Sequence, residues 1–331
     1  MNFDEVYYEP DILNYELGKQ LREQFKHLKW NEIESHNKIE QLQKSSNSDF
    51  VKLKRHLIIG TRKTHKYVPN FKISDFLVPY TSSGCSAMCL YCYLVCNYNK
   101  CSYLRLFVNR EFMLDKIIKH TQKNKDEFVY EIGSNSDLIL ENTITGNLEW
   151  TIKNFANSPK GKLTFPTKFH QVDSLLDIDH NKKIIFRMSV NPNDIIKRIE
   201  IGTSSLDNRI EAINKMVDAD YPTGILIAPI ILVENWKSLY SELITTLSDK
   251  LSVKAKNTIS IKIIFMTYSN IHRYINNDAF PTLPQLYDKE LMRGRARGKY
   301  GYKDEIRFEA EEFLKQEINQ KLANAKIIYI C

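Results

Sequence analysis

Short apolar segments alternate with amphipathic ones through the middle of the chain. The apolar segments are four to eight residues long and rich in β-branched or aromatic residues, a composition that is typical of β-strands. This pattern predicts strands at 75–79, 128–132, 163–166, 184–190, 224–229 and 259–266.

The amphipathic segments between these strands are predicted to be helices. Residues 112–121 and 235–251 carry apolar side chains on one side. In a further segment Leu206, Ile210, Ile213 and Val217 recur at helical spacing, with Ser204 as the predicted N-cap. Strands that alternate with helices in this way indicate a parallel α/β sheet.

The two ends of the chain differ from this alternating middle. The N-terminal part predicts a helix at 13–25 and a strand at 56–59, whereas the C-terminal part predicts a turn or hairpin at 293–303, a charged helix at 305–322 and a strand at 326–330. We therefore expect an N-terminal flanking module over 1–72, a central domain over 73–268 and a C-terminal segment over 269–331.

Composition narrows the class of protein. The chain has 331 residues, of which 43% are hydrophobic, and no stretch approaches 18 consecutive apolar residues. The first residues lack the basic-then-apolar pattern of a secretion signal. Clustered thiols also favour a reducing compartment. We expect a cytoplasmic protein with no membrane partner.

Positive charge is unevenly distributed, although the net charge is only +7. One basic run covers 52–66 (KLKRHLIIGTRKTHK), and a second covers 293–303 (RGRARGKYGYK). Two separated basic segments are typical of a protein that binds a polyanion, although solvated lysine-rich surface explains many single runs.

Three cysteines give the most specific chemical signal. Cys85, Cys89 and Cys92 form a C-x3-C-x2-C run, with the aromatic Tyr91 directly before the last cysteine. Three thiolates at this spacing suit three irons of a [4Fe-4S] cluster and leave the fourth iron open, as in radical S-adenosylmethionine enzymes. A zinc site is the alternative, but zinc sites usually pair two short Cys or His halves, and only one C-x2-C is present.

Beyond this motif, long segments of the chain resemble the spore photoproduct lyases. These are radical S-adenosylmethionine enzymes that repair a thymine dimer in DNA, and their fold is a partial (β/α)6 barrel. The resemblance thus implies an α/β fold consisting of such a barrel, with an N-terminal α/β extension and a C-terminal helix and hairpin segment. The matching segments are 8–20, 57–64 (LIIGTRKT), 85–109, 163–173 (LTFPTKFHQVD), 184–191 (IIFRMSVN) and 202–230.

The resemblance implies a [4Fe-4S] cluster and S-adenosylmethionine as cofactors, damaged DNA as substrate, and an electron donor such as flavodoxin or ferredoxin. An adenosyl radical would remove a hydrogen atom from the lesion, 5-thyminyl-5,6-dihydrothymine, and the bond joining the two thymines would then break. By position, the cluster ligands would be Cys85, Cys89 and Cys92; the S-adenosylmethionine contacts Ser136, Lys168 and Ser189; the radical-pathway tyrosines Tyr91 and Tyr93; and the lesion-binding hairpin residues Arg295, Lys299 and Tyr300.

Two positions depart from the family pattern. Ser134 stands where better-known members carry the cysteine that returns a hydrogen atom to the thymine radical, and Ala296 replaces a hairpin tyrosine. A serine O–H bond is too strong to serve as this donor. Cys96 is the favoured donor, because it lies four residues past the last cysteine of the motif, and Cys101 and Cys331 are the second and third candidates.

Three functions remain open at this point. The first is repair of the spore photoproduct. The second is a related radical enzyme with another nucleic-acid substrate or a different kind of substrate, which Ser134 and Ala296 motivate. The third is a zinc-containing module that binds nucleic acid, which would leave the barrel pattern unexplained.

Overall fold

The structure, a computed structural model, describes residues 1–71, 73–97 and 103–331. Its strands are mostly short. In chain order they are β1 (Glu5–Tyr8), β2 (Lys29–Glu32), β3 (His56–Gly60), β4 (Val68–Pro69), β5 (Phe76–Leu77), β6 (Ser82–Ser83), β7 (Met88–Cys89), β8 (Arg105–Phe107), β9 (Val129–Glu131), β10 (Lys162–Thr167), β11 (Ile184–Val190), β12 (Glu200–Ile201), β13 (Thr223–Ile230), β14 (Ser260–Phe265), β15 (Thr267–Ser269), β16 (Met292–Arg295), β17 (Lys299–Tyr302) and β18 (Lys326–Ile330).

Helices separate most of these strands, as the alternating pattern predicts. They are α1 (Glu16–Gln24), α2 (Glu40–Gln43), α3 (Phe50–Leu53), α4 (Leu94–Asn97), α5 (Arg110–Lys123), α6 (Leu138–Thr145), α7 (Asn147–Phe155), α8 (Asn193–Arg198), α9 (Leu206–Asp218), α10 (Trp236–Lys250), α11 (Val253–Thr258), α12 (Asn270–Ala279) and α13 (Asp304–Lys321). Short 3-10 helices occupy Pro10–Asn14, Asn47–Asp49 and Asp173–Leu175.

The described chain divides into two compact units. The first comprises Met1–Ala87, Leu94–Phe165 and Ile178–Ile184, and the second comprises Met88–Tyr93, Pro166–Asp177 and Ile185–Cys331. The division into an N-terminal module, a central domain and a C-terminal segment at residues 72 and 268 stays a prediction.

The first unit contains a sheet in the order β2–β1–β3–β8–β6. Its strands are parallel except for β6, which is antiparallel to β8. One face packs on α1, where Leu17 and Leu21 meet Val6 and Leu57 in a buried cluster. The strands β5 and β9 also pair in parallel, as do β9 and β10.

The second unit is built on the parallel strands β11, β13, β14 and β18. Their inward residues are aliphatic and fully buried, as at Met188, Ile225 and Ile261, because both faces of a parallel sheet are covered. Separate antiparallel pairings join β7 to β12 and place β17 between β15 and β16. The predicted hairpin at 293–303 is therefore confirmed as β16 and β17.

One helix cap differs from the prediction. The N-cap of α9 is Ser205, whose side chain accepts a hydrogen bond from the backbone N–H of Asn208 at 3.3 Å. The predicted cap, Ser204, instead has its hydroxyl 2.8 Å from Nδ1 of His170. The prediction was wrong by one residue because both serines have an acidic or polar residue three positions later.

Candidate active site

The loop that carries Cys89, Tyr91 and Cys92 is held by backbone hydrogen bonds in the second unit. Cys89 lies opposite Glu200 in the antiparallel pair of β7 and β12. The N–H of Cys92 donates to the carbonyl of Cys89 at 3.0 Å, closing a tight turn. The side chain of Asn276 donates to the carbonyl of the buried Leu90 at 2.7 Å. Both thiols are half-buried, on backbone that is fixed from two sides.

Cys85 is anchored in the first unit. The ammonium of Lys54 donates to the Cys85 carbonyl at 2.7 Å, and the N–H of Ala87 donates to the Cys85 Sγ at 3.4 Å. The preceding Gly84 has φ of 79°, a left-handed conformation that glycine adopts without strain. A half-buried sulfur that accepts a backbone N–H fits a thiolate ligand, because N–H donors stabilise cluster sulfurs.

Within the described ranges, no three Cys, His, Asp or Glu side chains form a ready-made metal group. The ligand set of Cys85, Cys89 and Cys92 therefore stays a prediction from the sequence motif. Cys96 lies half-buried on α4, and Tyr93, directly before that helix, is 52% exposed. Cys331 continues the pairing of β18, since its N–H donates to the carbonyl of Ile263 at 3.0 Å. Cys101 lies outside the described residues.

Ser136 lies beside the first cysteine of the motif. It forms an isolated parallel bridge with Gly84, whose N–H donates to the Asn135 carbonyl at 2.8 Å. The Ser136 Oγ is buried and has no hydrogen-bond partner among the residues that the structure describes. Because an unsatisfied buried hydroxyl is costly, this position fits a serine that hydrogen-bonds a ligand. Ser134 lies two residues earlier, half-buried in a turn.

Lys168 and Ser189 meet at the carboxyl ends of β10 and β11 in the second unit. The Lys168 ammonium donates to the Ser189 Oγ at 2.6 Å and to the Ala228 carbonyl at 3.1 Å. The Ser189 hydroxyl in turn donates to the same carbonyl at 2.8 Å. Active sites of parallel α/β folds are built at this edge of the sheet. The structure thus brings two of the predicted cofactor-binding residues together.

Next to Lys168 lies a buried ion pair between Glu200 and Arg209, which was not predicted from the sequence. The Arg209 guanidinium donates to Glu200 Oε2 at 2.7 Å, and both side chains are fully buried. Burial would raise the pKa of Glu200, but the positive charges of Lys168 and Arg209 outweigh it, and the pKa falls to about 2. The Lys168 ammonium is 3.7 Å from Glu200 Oε1. Glu200 is therefore an anion that holds two cations in place.

Tyr91 is tied to the same carboxylate. Its hydroxyl donates to Glu200 Oε1, which also accepts from the Asn191 amide at 2.8 Å. Burial and the nearby Glu200 charge hold the pKa of Tyr91 well above its ordinary value. The Tyr91 phenol therefore stays protonated and is held in one position by its hydrogen bond to Glu200. The Tyr93 side chain, by contrast, is exposed to solvent. The two predicted radical-pathway tyrosines occupy different environments.

The hairpin of β16 and β17 presents basic side chains to solvent. Arg295 and Lys299 are exposed and lie directly opposite each other across the two strands. Like charges at such positions repel, so the pairing favours an anionic partner. Tyr300 is half-buried, with its hydroxyl donating to Asn270 Oδ1 at 3.2 Å and its ring 4.6 Å from that of Tyr287. Ala296 lies in the turn.

Comparisons with known proteins place the chain in a family. A sequence model of the spore photoproduct lyases matches residues 1–331. The Bacillus subtilis (strain 168) spore photoproduct lyase is 35% identical over 332 residues, covering 98% of this chain and 97% of that protein. The Geobacillus sp. (strain Y412MC61) spore photoproduct lyase is 30% identical over 98% of this chain and 97% of its own length.

Solved structures agree with the sequence comparisons. A spore photoproduct lyase complexed with dinucleoside spore photoproduct superposes with a TM-score of 0.92 at 30% identity, covering 99% of both chains. A mutant with bound S-adenosylmethionine and dinucleoside spore photoproduct gives 0.91 at 29% identity, covering 99% of this chain and 98% of that one. These matches confirm the predicted partial radical S-adenosylmethionine barrel.

The chain belongs to the spore photoproduct lyase family. It is a radical S-adenosylmethionine lyase, and its cofactors are a [4Fe-4S] cluster and S-adenosylmethionine. Membership of this family favours the iron–sulfur interpretation of the cysteine motif over the zinc alternative. No helix in the described parts of the chain is both long enough and apolar enough to cross a bilayer.

Proposed function

We propose that this protein repairs DNA by converting the spore photoproduct, 5-thyminyl-5,6-dihydrothymine, back to two thymines. The observation that carries this proposal is the full-length match to a lyase structure that holds the dinucleoside form of this lesion. When bound, the cluster and S-adenosylmethionine supply the 5′-deoxyadenosyl radical that starts the reaction. The protein must hold the cofactors, hold the lesion and return a hydrogen atom.

For the cofactors, we assign Cys85, Cys89 and Cys92 to the cluster. We assign Ser136, Lys168 and Ser189 to S-adenosylmethionine: an ammonium suits its carboxylate, and hydroxyls can hydrogen-bond its polar groups. The support for these roles is the short contact between Lys168 and Ser189 and the unsatisfied buried Ser136 hydroxyl. Glu200 is a positioning residue, because it holds Lys168 and Tyr91 without itself being a predicted cofactor contact.

For the lesion, we assign Arg295, Lys299 and Tyr300 to DNA. A damaged base stacks poorly, so extruding it from the duplex costs less than extruding a paired base. The opposed cations of the hairpin are suited to phosphates on either side of the extruded lesion, and the aromatic ring is suited to a base.

For the hydrogen return, we propose Cys96 as the donor, with Tyr93 or Tyr91 closing the radical cycle. Cys96 is half-buried and lies four residues after the last cysteine of the motif. Ser134 cannot take this role, because its O–H bond is too strong for a carbon radical to break. We further propose flavodoxin or ferredoxin as electron donor and the cytoplasm as location, where thiols stay reduced.

Ser134 and Ala296 support a second candidate, a related radical enzyme with another nucleic-acid substrate or a different kind of substrate. A substrate panel separates the two. The reconstituted protein is incubated anaerobically with S-adenosylmethionine, dithionite and oligonucleotides that carry the spore photoproduct, a cyclobutane thymine dimer or no lesion. The first proposal is supported if the protein consumes the spore photoproduct and leaves the other two oligonucleotides unchanged. Equal inactivity on all three, with cofactors bound, supports the second.

A further inference from the structure

A polar cleft of about 150 Å³ lies in the first unit, among residues to which the repair reaction assigns no role. Its cationic lining consists of Arg62, Lys63 and Arg105, and its carboxylate is Glu9. Two of the cations, Arg62 and Lys63, belong to the basic run at 52–66. The excess of positive charge predicts an anionic ligand.

Arg62 is held rigidly at the edge of this cleft. Its Nε donates to the Tyr80 carbonyl at 2.7 Å, and its guanidinium lies 4.0 Å from the centre of the Phe107 ring. The side chain of Asn109 accepts from the Arg62 N–H and donates to the Arg62 carbonyl, each at 2.9 Å. An arginine fixed in this way loses little conformational entropy when it binds a ligand.

Arg105 supplies a second cation, from the cleft wall. Its side chain stacks 4.5 Å from the Tyr103 ring, its Nε donates to the His36 carbonyl at 3.2 Å, and the residue is only 3% exposed. Burying a guanidinium costs free energy unless anions or polar atoms surround it. A buried guanidinium that lines a polar cleft therefore indicates that the cleft suits an anion.

The carboxylate of the cleft, Glu9, is directed to other donors. The Oε1 atom of Glu9 accepts a hydrogen bond from the backbone N–H of His36 and also lies 2.7 Å from Nδ1 of the same residue. The Oε2 atom accepts from the backbone N–H of Thr61 at 2.9 Å. Gly60 permits this arrangement, since a Cβ there would be 2.8 Å from Glu9 Oε2. The negative charge is thus held by two backbone N–H groups and by the His36 imidazole.

We propose that this cleft binds a phosphate group through Arg62, Lys63 and Arg105. A guanidinium group can donate two parallel hydrogen bonds to two oxygens of one phosphate, and a lysine adds a third positive charge. Two sources supply this chemistry, the DNA backbone and the free phosphate ion, and the experiment below distinguishes them. The proposal goes beyond the repair activity, because phosphate binding requires neither cluster nor lesion.

The test uses the full-length protein and three variants. Arg62→Gln and Lys63→Gln each remove one cation, and Lys63 is exposed, so its replacement leaves the fold intact. Lys66→Gln is the matched control, an exposed lysine of the same basic run that does not line the cleft. Inorganic phosphate is titrated at constant ionic strength and followed by NMR or calorimetry. Undamaged duplex DNA is titrated over a range of salt concentrations.

We expect both cleft variants to bind phosphate about tenfold or more weakly than the native chain, with Lys66→Gln unchanged. If the phosphate comes from DNA, Lys63→Gln also lowers the slope of log affinity against log salt by about 0.9. An unchanged slope with weakened phosphate binding identifies free phosphate as the ligand. The proposal is overturned if the native chain does not bind phosphate, or if Lys66→Gln weakens binding as much as Lys63→Gln.

Discussion

The Lys168 ammonium donates a hydrogen bond to the Ser189 hydroxyl at 2.6 Å, although the two residues are 21 positions apart in sequence. The two side chains come from the carboxyl ends of successive strands, which is where the fold predicts cofactor contacts. The negative charge of Glu200 stabilises the Lys168 ammonium, which lies 3.7 Å from Glu200 Oε1. A charged donor and a hydroxyl are thereby held side by side at this edge of the sheet.

Replacing Lys168 with Met should weaken S-adenosylmethionine binding. The change keeps most of the side-chain volume and removes the charge, and a hydrogen bond to a charged group contributes about 1.5–3 kcal/mol, or roughly tenfold to a hundredfold in affinity. Anaerobic equilibrium dialysis measures the affinity. Lys254→Met, which alters an exposed lysine paired with Asp220, is the control. Equal affinity in the two variants would remove Lys168 from the cofactor site.

Replacing Glu200 with Gln should strongly destabilise the fold. The change leaves the Arg209 charge buried without its anion, which typically costs about 3–5 kcal/mol of unfolding free energy. Asp194→Asn is the matched control, because it breaks an exposed pair with Arg198 and should cost under about 1 kcal/mol. Denaturant unfolding of both variants measures the difference. Similar losses would show that Glu200 and Arg209 are not a coupled pair.

The Glu9 carboxylate should make stability depend on acidity. Burial would raise its pKa, but hydrogen bonds from His36 and Thr61 lower the pKa from 4.5 to about 2. Its stabilisation, about 3 kcal/mol, is therefore complete above about pH 4.5 and lost as pH falls toward 2. The unfolding free energies of the native chain and Glu9→Gln should converge over this range. A difference that is independent of pH contradicts this account.

Replacing Arg295 with Gln should change stability and DNA affinity in opposite directions. The variant relieves repulsion with Lys299 across the hairpin, so stability should rise modestly. It also removes the proposed phosphate contact, which should reduce the salt slope of DNA binding by about 0.9. Arg293→Gln is the control for stability, because Arg293 pairs with Asp304 at 2.6 Å and its loss should bring no gain. If Arg295→Gln leaves the slope unchanged, Arg295 does not contact DNA.

Replacing Cys96 with Ala should uncouple the reaction. We expect 5′-deoxyadenosine to form at a native rate while the yield of intact thymines falls and adducts accumulate, because the thymine radical lacks its proposed donor. Product analysis by mass spectrometry measures both. Cys331→Ala, at the end of β18, is the control and should retain the native yield. A native thymine yield from Cys96→Ala would exclude this thiol as the donor.

Several elements were predicted from the sequence with bounds close to those that the structure shows. The strands at 184–190 and 326–330 have the predicted bounds, and α13 differs from its prediction by one residue at each end. The first helix begins at Glu16 rather than at residue 13, because Pro10–Asn14 forms a separate 3-10 helix and Tyr15 is extended.

The cofactor-binding candidates could be found only through the family resemblance, and the Glu200–Arg209 pair was missed altogether. Glu200 lies in a two-residue strand, too short to give any periodic signal, and its ionic partner Arg209 lies on a different element, α9, nine positions later in the chain. The one available signal was Arg209, a charged residue on the buried side of α9 next to Ile210.

The most direct test of the proposed repair is one anaerobic reaction with reconstituted protein, dithionite, S-adenosylmethionine and dinucleotide spore photoproduct. Both 5′-deoxyadenosine and thymidylyl-thymidine are quantified in the same sample. Our account predicts that thymidylyl-thymidine forms in good yield, which would show that a donor other than residue 134 returns the hydrogen atom. Formation of 5′-deoxyadenosine with no thymidylyl-thymidine and no consumption of the lesion would contradict it.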